Sequence, residues 1–314
     1  MLLIEANFLI NIGSTILNHT MKYLYTLAIC FAFLVVNAQN LTVLDAATKQ
    51  PVPFTVVTAI LRGEPVSRDY CNQDGTLSIS VKNYEMLQFS CLGYKEVAIR
   101  KADVGAEVLL QPDAFELDEV VISGKTDVVT VGYIDKKKLD FSGTAAGFQD
   151  AVFIPNTLGS ATTVKSFLFK VVKSKNRFAY RLHFYKPSLT AHTPGEEITH
   201  DNIIGFVEKD AKGLTELDLS AYAVEFPLEG VYVSIEGLGT CDANGTITDA
   251  KKDAFITYET FRTAEPIFCH QPDFFITTGW INENERIIKD YEYVKKPVHK
   301  DALRAPSFSL KVYR

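Results

Sequence analysis

The sequence predicts an all-β protein built from two β-sandwiches, a small one followed by a larger, jelly-roll-like one. Three observations predict it. Apolar residues recur with period two through most of the chain, as half-buried strands require. Turn residues interrupt them at short intervals, and between residues 41 and 123 nothing carries the 3.6-residue period of a helix. The composition leans the same way, with 21 Phe and 14 Tyr against one Trp and 3 Met. With 47% hydrophobic residues and a net charge of −6, the 314-residue chain can build cores. That excludes a disordered chain, and the acidic balance argues against a nucleic-acid binder.

Residues 1–38 stand apart from this pattern. Met21 and Lys22, an apolar run over 24–36, and Ala38 before Gln39 have the three parts of a secretory signal: basic start, apolar middle, small residue before the cut. Cleavage after Ala38 is expected, with Met21 as the true start and residues 1–20 as upstream read-through. The run is too short for a comfortable bilayer span and lacks a basic flank on its far side, so no transmembrane span is expected after cleavage. Cys30 follows Leu27, Ala28 and Ile29 as in a lipoprotein box, but bulky Ile29 stands where a small residue is needed. Cleavage leaves Cys71, Cys91, Cys241 and Cys269. A bridge between Cys71 and Cys91 and four buried free thiols are both open readings. The absence of Cys-x-x-Cys removes the usual zinc and redox spacings.

The small sandwich occupies residues 39–124. Phe54, Val56, Thr58 and Ile60 share one face, and Leu77, Ile79 and Val81 share another. Pro51 and Pro53 bracket a turn. Asn72, Gln73, Asp74 and Gly75 read as a hairpin, because Gly75 tolerates positive φ. Gly93 and Tyr94 mark a further break, and runs over 87–91, 97–100, 108–110 and 120–122 bring the count to about seven or eight strands. The segments TVLDAATKQPVPFTVV (42–57), CNQDGTLSIS (71–80), LQFSCLGYKEVAI (87–99) and LDEVVISG (117–124) together resemble the carboxypeptidase-regulatory-like domain. The resemblance implies a transthyretin-like, seven-stranded sandwich. It is an accessory module found beside zinc carboxypeptidase domains and at the front of TonB-dependent outer-membrane transporters, and it brings no catalytic residue. A transporter would need a plug and a many-stranded barrel, for which the roughly 190 residues after Gly124 are too few.

Residues 125–314 read as the second sandwich, with about ten strands. Phe167, Phe169 and Val171 alternate with polar neighbours, as do Phe178, Tyr180, Leu182 and Phe184. Lys173, Ser174, Lys175 and Asn176 between them suggest a hairpin. Val231, Val233 and Ile235 oppose Tyr232, Ser234 and Glu236. Later strands are expected near 255–260, 274–281 and 308–313, with long polar loops over 187–202, 239–252 and 282–306. The segments RLHFYKP, TPGEEIT and FPLEGVYVSIEGLG resemble an uncharacterised β-sandwich that follows the regulatory-like domain in some envelope proteins.

Catalytic motifs are sparse. Gly-x-Ser-x-Gly, His-Glu-x-x-His, His-x-x-Glu and the phosphate-binding loop are all absent. Gly237 and Gly239 read as a turn. His192, Glu196, Glu197 and His200 have metal-ligand chemistry, but Pro194 and Gly195 interrupt them and a solvated loop is the simpler reading. Asp242, Asn244 and Asp249 offer oxygens to a calcium ion, although Asn244 and Gly245 equally form an ordinary turn. Glu283 and Glu285 read as solvated loop carboxylates, and Trp280 as a strand residue packed in a core rather than a sugar-stacking platform. The remaining candidate is a ligand face. Arg181, His183 and Tyr185 share one face of a strand, Tyr232, Ser234 and Glu236 share one face of another, and neighbouring strands would combine them into a polar, aromatic patch suited to a sugar or peptide. The alternatives are a solvated sheet face or a face packed on the first sandwich.

The expectation is therefore a non-catalytic, exported envelope protein of a Gram-negative bacterium, periplasmic, outer-membrane associated or secreted. It would bind a glycan or peptide, as in nutrient uptake, or dock to an envelope protein partner. No cofactor is expected unless calcium binds the 239–252 loop. A hydrolase whose site the sequence does not reveal is the third class.

Overall fold

The computed structural model describes residues 39–113, 127–190, 192–249, 255–271 and 279–314. The signal segment, the strand expected over 120–122 and most of that expected over 274–281 lie outside the described residues. Among the described residues, no helix is long and apolar enough to cross a membrane. The described residues of 41–77 and 81–314 form one compact unit. Gln39 and Asn40 group with Ser78–Ser80, where the Ser78 hydroxyl donates to the Asn40 side-chain oxygen.

The chain is an all-β protein. Its first seven strands are β1 (Gln39–Asp45), β2 (Val56–Leu61), β3 (Glu64–Tyr70), β4 (Thr76–Ile79), β5 (Met86–Ser90), β6 (Val97–Arg100) and β7 (Glu107–Leu110). They form a three-stranded sheet in the order β4-β1-β7 and a four-stranded sheet in the order β3-β2-β5-β6. Alternation buries Leu41 and Val43 on β1, Val108 and Leu110 on β7, and Leu87 and Phe89 on β5. The 72–75 segment makes the expected tight turn, with Gly75 at φ 73° and its N–H donating to the Asn72 carbonyl at 2.9 Å. It does not make a hairpin. β3 and β4 belong to different sheets, so the turn carries the chain between layers.

Two eight-stranded sheets make up the rest, where about ten strands were expected. One runs β13 (Pro194–Glu197), β12 (Phe178–Pro187), β17 (Val231–Cys241), β10 (Gln149–Ile154), β20 (Phe268–Gln271) and β21 (Ile281–Asn282). β14 (Ile203–Val207) lies beside β12, and β18 (Ile247–Asp249) beside β17. The other runs β22 (Arg304–Pro306), β19 (Phe255–Arg262), β11 (Thr162–Val171), β23 (Ser309–Tyr313) and β8 (Val128–Gly132). β15 (Gly213–Asp218) and β16 (Glu225–Phe226) pair with β11, and β9 (Lys138–Ala145) with β19. The extra strands are mostly short segments whose few residues carry little periodic signal. The expected hairpin over 173–176 is another crossing between sheets, because β11 and β12 face each other across the core. Phe169 meets Tyr180 there edge-on at 5.6 Å, among Phe167, Phe184, Val233, Tyr258, Phe308 and Leu310.

All three expected loops contain more order than their polarity suggested. β13 lies within 187–202, and β17 runs on to Cys241. Gly237 and Gly239 therefore belong to a strand rather than a turn. Their β-bulge pairs Ala179 with Gly239 and Tyr180 with Gly237, leaving Leu238 as the extra residue. A Cβ at Gly237 would sit 2.2 Å from the Ala145 carbonyl oxygen, so no larger residue fits. The segment 282–306 holds one α-helix, α1 (Glu283–Tyr293), the only one among the described residues. Asn282 caps it by accepting from the Glu285 N–H, and Glu283 and Glu285 in its first turn complement the helix dipole. This is an N-cap with Glu three residues later, a start signal present in the sequence but masked by the high charge of the helix itself.

Candidate functional site

β12 and β17 are antiparallel neighbours whose register sets Arg181 opposite Glu236, His183 opposite Ser234 and Tyr185 opposite Tyr232. Successive strand residues point to opposite faces. Phe178, Tyr180, Leu182 and Phe184 turn inward with Val231, Val233 and Ile235, so the polar set shares the outer face. The structure thus brings Arg181, His183, Tyr185, Tyr232 and Glu236 together. It also buries them, with exposures between 3% and 8%. The small sandwich covers one end of the face, where Phe54, Val56 and Tyr70 pack with Ala179, Leu238 and Cys241. Phe54 and Val56, read with Thr58 and Ile60 as one strand face, both belong to this contact, although Phe54 precedes β2.

At that end Arg181, His183 and Glu236 are all paired. Glu236 Oε1 accepts from the Tyr70 hydroxyl at 2.9 Å, and its Oε2 meets Arg181 Nη1 and His183 Nε2, each at 3.0 Å. His183 Nδ1 lies 2.6 Å from Glu197 Oε1. An imidazole between two carboxylates is satisfied when both nitrogens carry protons. Arg181 also donates from Nε to Asn202 Oδ1 at 2.8 Å and from Nη2 to the Phe54 carbonyl at 2.6 Å. Asn202 in turn donates to the Pro53 carbonyl at 2.7 Å. Phe54 takes a left-handed φ of 53°, a conformation costing about 1–2 kcal/mol in a non-glycine residue. Its carbonyl is fixed by the guanidinium.

The electrostatics reflect this geometry. Burial opposes the charge on His183, but Glu197 and Glu236 outweigh it and hold the imidazole pKa up to about 9. Burial likewise opposes the Glu236 carboxylate, yet Arg181 and His183 hold it well below the usual range. Burial, then the Glu236 charge, pushes the Tyr70 hydroxyl far up. Glu236 and Glu197 are balanced by Arg181 and protonated His183. A carboxylate committed to three donors is poorly placed to activate a water, so the cluster is suited to joining two layers.

Further along the same face, Tyr185 stacks on His183 at 5.8 Å and donates to Gln149 Oε1 at 3.2 Å. Gln149 also accepts from Ser234 at 3.3 Å. Tyr185, Tyr232, Ala151 and Cys269 form a small cluster on which half-buried Trp280 packs, its ring 5.6 Å from that of Tyr185. Trp280 precedes β21 rather than lying within a strand. It walls a groove of about 880 Å³ between the 188–193 segment and one side of α1. A separate polar pair lies at the other face of β10, where Asp150 Oδ1 meets His270 Nδ1 at 2.7 Å and Tyr258 donates to Asp150 Oδ2. Gln149, Asn202, Tyr70 and this Asp150 pair are absent from the sequence-derived candidates. They lie in separate chain segments, and only register and layer packing bring them together.

The other candidates separate. Glu197 goes to His183, Glu196 to Lys186 at 3.6 Å, and His192 to Glu285 at 2.9 Å, so the His192, Glu196, Glu197 and His200 set does not converge. Among the described residues no group of three or more His, Cys, Asp or Glu is arranged to hold a metal. Asp242 Oδ1 accepts from the Asn244 and Thr246 N–H groups at 2.9 Å, closing the turn around Gly245. Glu283 pairs with Arg286 on the first turn of α1. The four cysteines among the described residues, Cys71, Cys91, Cys241 and Cys269, are free and buried. Cys71 and Cys91 come just after β3 and β5, which pair with opposite edges of β2, so a strand separates them. No family model, curated protein or solved structure matches the chain.

Proposed function

We propose that this chain is a non-catalytic, exported envelope protein that acts in ligand binding or complex assembly, its two sandwiches packed against each other. The observation that carries the reading is the sealing of the Arg181–His183–Glu236 cluster. The residues best equipped for chemistry are buried against the small sandwich and committed to Tyr70, Phe54, Asn202 and Glu197. The signal-like segment over 21–38 and the resemblance of 42–124 to a carboxypeptidase-regulatory-like module support the exported setting. Seven strands in two sheets over 39–110 suit such a module.

The test pairs activity with location. The purified chain is assayed against ester, peptide and glycoside substrates beside Glu236→Gln, and the native protein is recovered from envelope fractions for N-terminal mass spectrometry. The expected result is no turnover by either form and a mature start at Gln39. Turnover abolished by Glu236→Gln would overturn the non-catalytic reading, and a cytoplasmic chain beginning at Met21 would overturn export.

A further inference from the structure

From the groove beside Trp280 we infer a saccharide-binding site, with the indole as the stacking platform for a neutral oligosaccharide. The inference rests on the reading of the chain as a binding protein and gives that reading its ligand class. At about 880 Å³, the groove lies within the size range of small-ligand clefts and can hold two or three sugar rings.

Its chemistry selects among ligands. Trp280 is half-buried and held edge-to-face against Tyr185, which the Gln149 hydrogen bond fixes in turn. A rigid indole of this kind offers a flat apolar surface at low entropic cost. The apolar C–H face of a pyranose matches it, and the sugar's outward hydroxyls need polar partners around the rim. Ser188, Thr190 and Thr193 supply hydroxyls on one side, and Lys289 supplies N–H donors from α1 on the other.

The charges on the walls argue against other occupants. Glu285 is paired with His192, and Arg286 is held between Glu283 at 2.6 Å and Asp290 at 2.8 Å. On the lining, Arg286 and Lys289 are matched by Glu285 and Asp290, so the groove lacks the cationic field that a phosphate or nucleotide would require. The capped, acidic start of α1 opposes an anion there as well. A wholly apolar ligand would leave the hydroxyls and the charged rim unpaired at a desolvation cost. A neutral polyol with one apolar face satisfies both kinds of wall.

Trp280 is also the single Trp of the chain, so its fluorescence reports on this groove directly. The probes are maltotriose, cellotriose, mannotriose and N-acetylchitotriose, titrated into the purified full chain and followed by Trp emission and calorimetry. Saturable binding of at least one, with a blue-shifted or quenched emission, is expected. Trp280→Ala should weaken calorimetric affinity about tenfold or more, and Trp280→Phe, which keeps a ring, by less. Circular dichroism and melting of both variants identify any loss of fold, and Lys289→Ala on the exposed helix gives an independent affinity readout with a severalfold loss. No binding of any of the four, or binding that Trp280→Ala and Lys289→Ala leave intact, overturns the site while the non-catalytic reading stands. Binding followed by cleavage, detected as shorter products by chromatography, keeps the site and overturns the non-catalytic reading.

Discussion

Replacing Arg181 by Met tests the buried joint most directly. The side chain is 4% exposed and contributes the Glu236 ion pair and hydrogen bonds to Asn202 and the Phe54 carbonyl, at 2.6–3.0 Å. Met fills similar volume without a charge, so Glu236 would keep a buried carboxylate with His183 and Tyr70 as hydrogen-bond partners and the Arg68 charge nearby, but without its closest cation. Removing one member of a buried pair costs about 3–5 kcal/mol, most of it the uncompensated charge that remains. The same reasoning predicts that adding Glu236→Gln restores part of the loss, because the orphaned charge disappears. The double variant should be less destabilised than the sum of the singles by about 2 kcal/mol. Equilibrium urea unfolding followed by Trp280 fluorescence and far-ultraviolet circular dichroism measures all four corners of this cycle. A loss below about 1 kcal/mol for Arg181→Met, or additivity of the two changes, would refute the joint.

Other outcomes rest on the same geometry. The folded His183 pKa of about 9 lies above the ordinary 6.5, so its contribution is complete below pH 6.5 and fades as the pH rises through 9. His183→Gln should flatten the decline of stability over that interval, and an unchanged slope in urea titrations across the pH series would contradict the assignment. Gly93→Ala should cost about 2 kcal/mol or more, since Gly93 sits at φ 83° and a Cβ there would lie 2.2 Å from the His200 carbonyl oxygen. A thermal melt within a degree of the parent would show that the contact relaxes freely. Finally, the two sandwiches should unfold together. Pulsed alkylation of Cys71 in the small sandwich, located by mass spectrometry, should match the urea midpoint given by Trp280 in the large one. Labelling of Cys71 at clearly lower urea would mean that the small sandwich opens alone.

The sequence carries much of the fold, and its failures have definite causes. Alternation places Phe178, Tyr180, Leu182 and Phe184 on one face and Arg181, His183 and Tyr185 on the other, because a strand has only two faces. It also supplies the turns at 72–75 and 173–176. It does not say whether the flanking strands pair with each other or lie in opposite sheets, since a tight turn serves both. α1 escapes this reading because a charged surface helix over 283–293 resembles a polar loop once hydrophobic periodicity is the guide, although Asn282 and Glu285 mark its start. The metal-like set fails for another reason. Proximity in sequence puts His192, Glu196, Glu197 and His200 together, whereas pairing between β12 and β13 gives Glu197 to His183 and leaves His192 beside α1.

The ligand face shows the limit of pattern reading most clearly, because its membership is legible while its cover is not. Arg181 opposite Glu236, with His183 one step along, looks in sequence like an open polar surface. The covering layer comes from residues more than a hundred positions earlier, and the two features that place it are local irregularities. Phe54 adopts a left-handed φ that aims its carbonyl at Arg181, and the bulge at Gly237–Gly239 turns Leu238 toward Phe54 and Tyr70. Neither has a periodic signature. Along β12 the same face then passes from His183 to Tyr185 and from Tyr185 to Trp280, from fully paired charges to the wall of an open groove. Direct contacts run from the joined end to the aromatic pair at the other, from Glu236 to His183, His183 to Tyr185 and Tyr185 to Trp280. On the saccharide reading, the face divides its work: Arg181, His183 and Glu236 are spent on joining the layers, and Tyr185, stacked on His183, sets the edge against which Trp280 packs beside the groove.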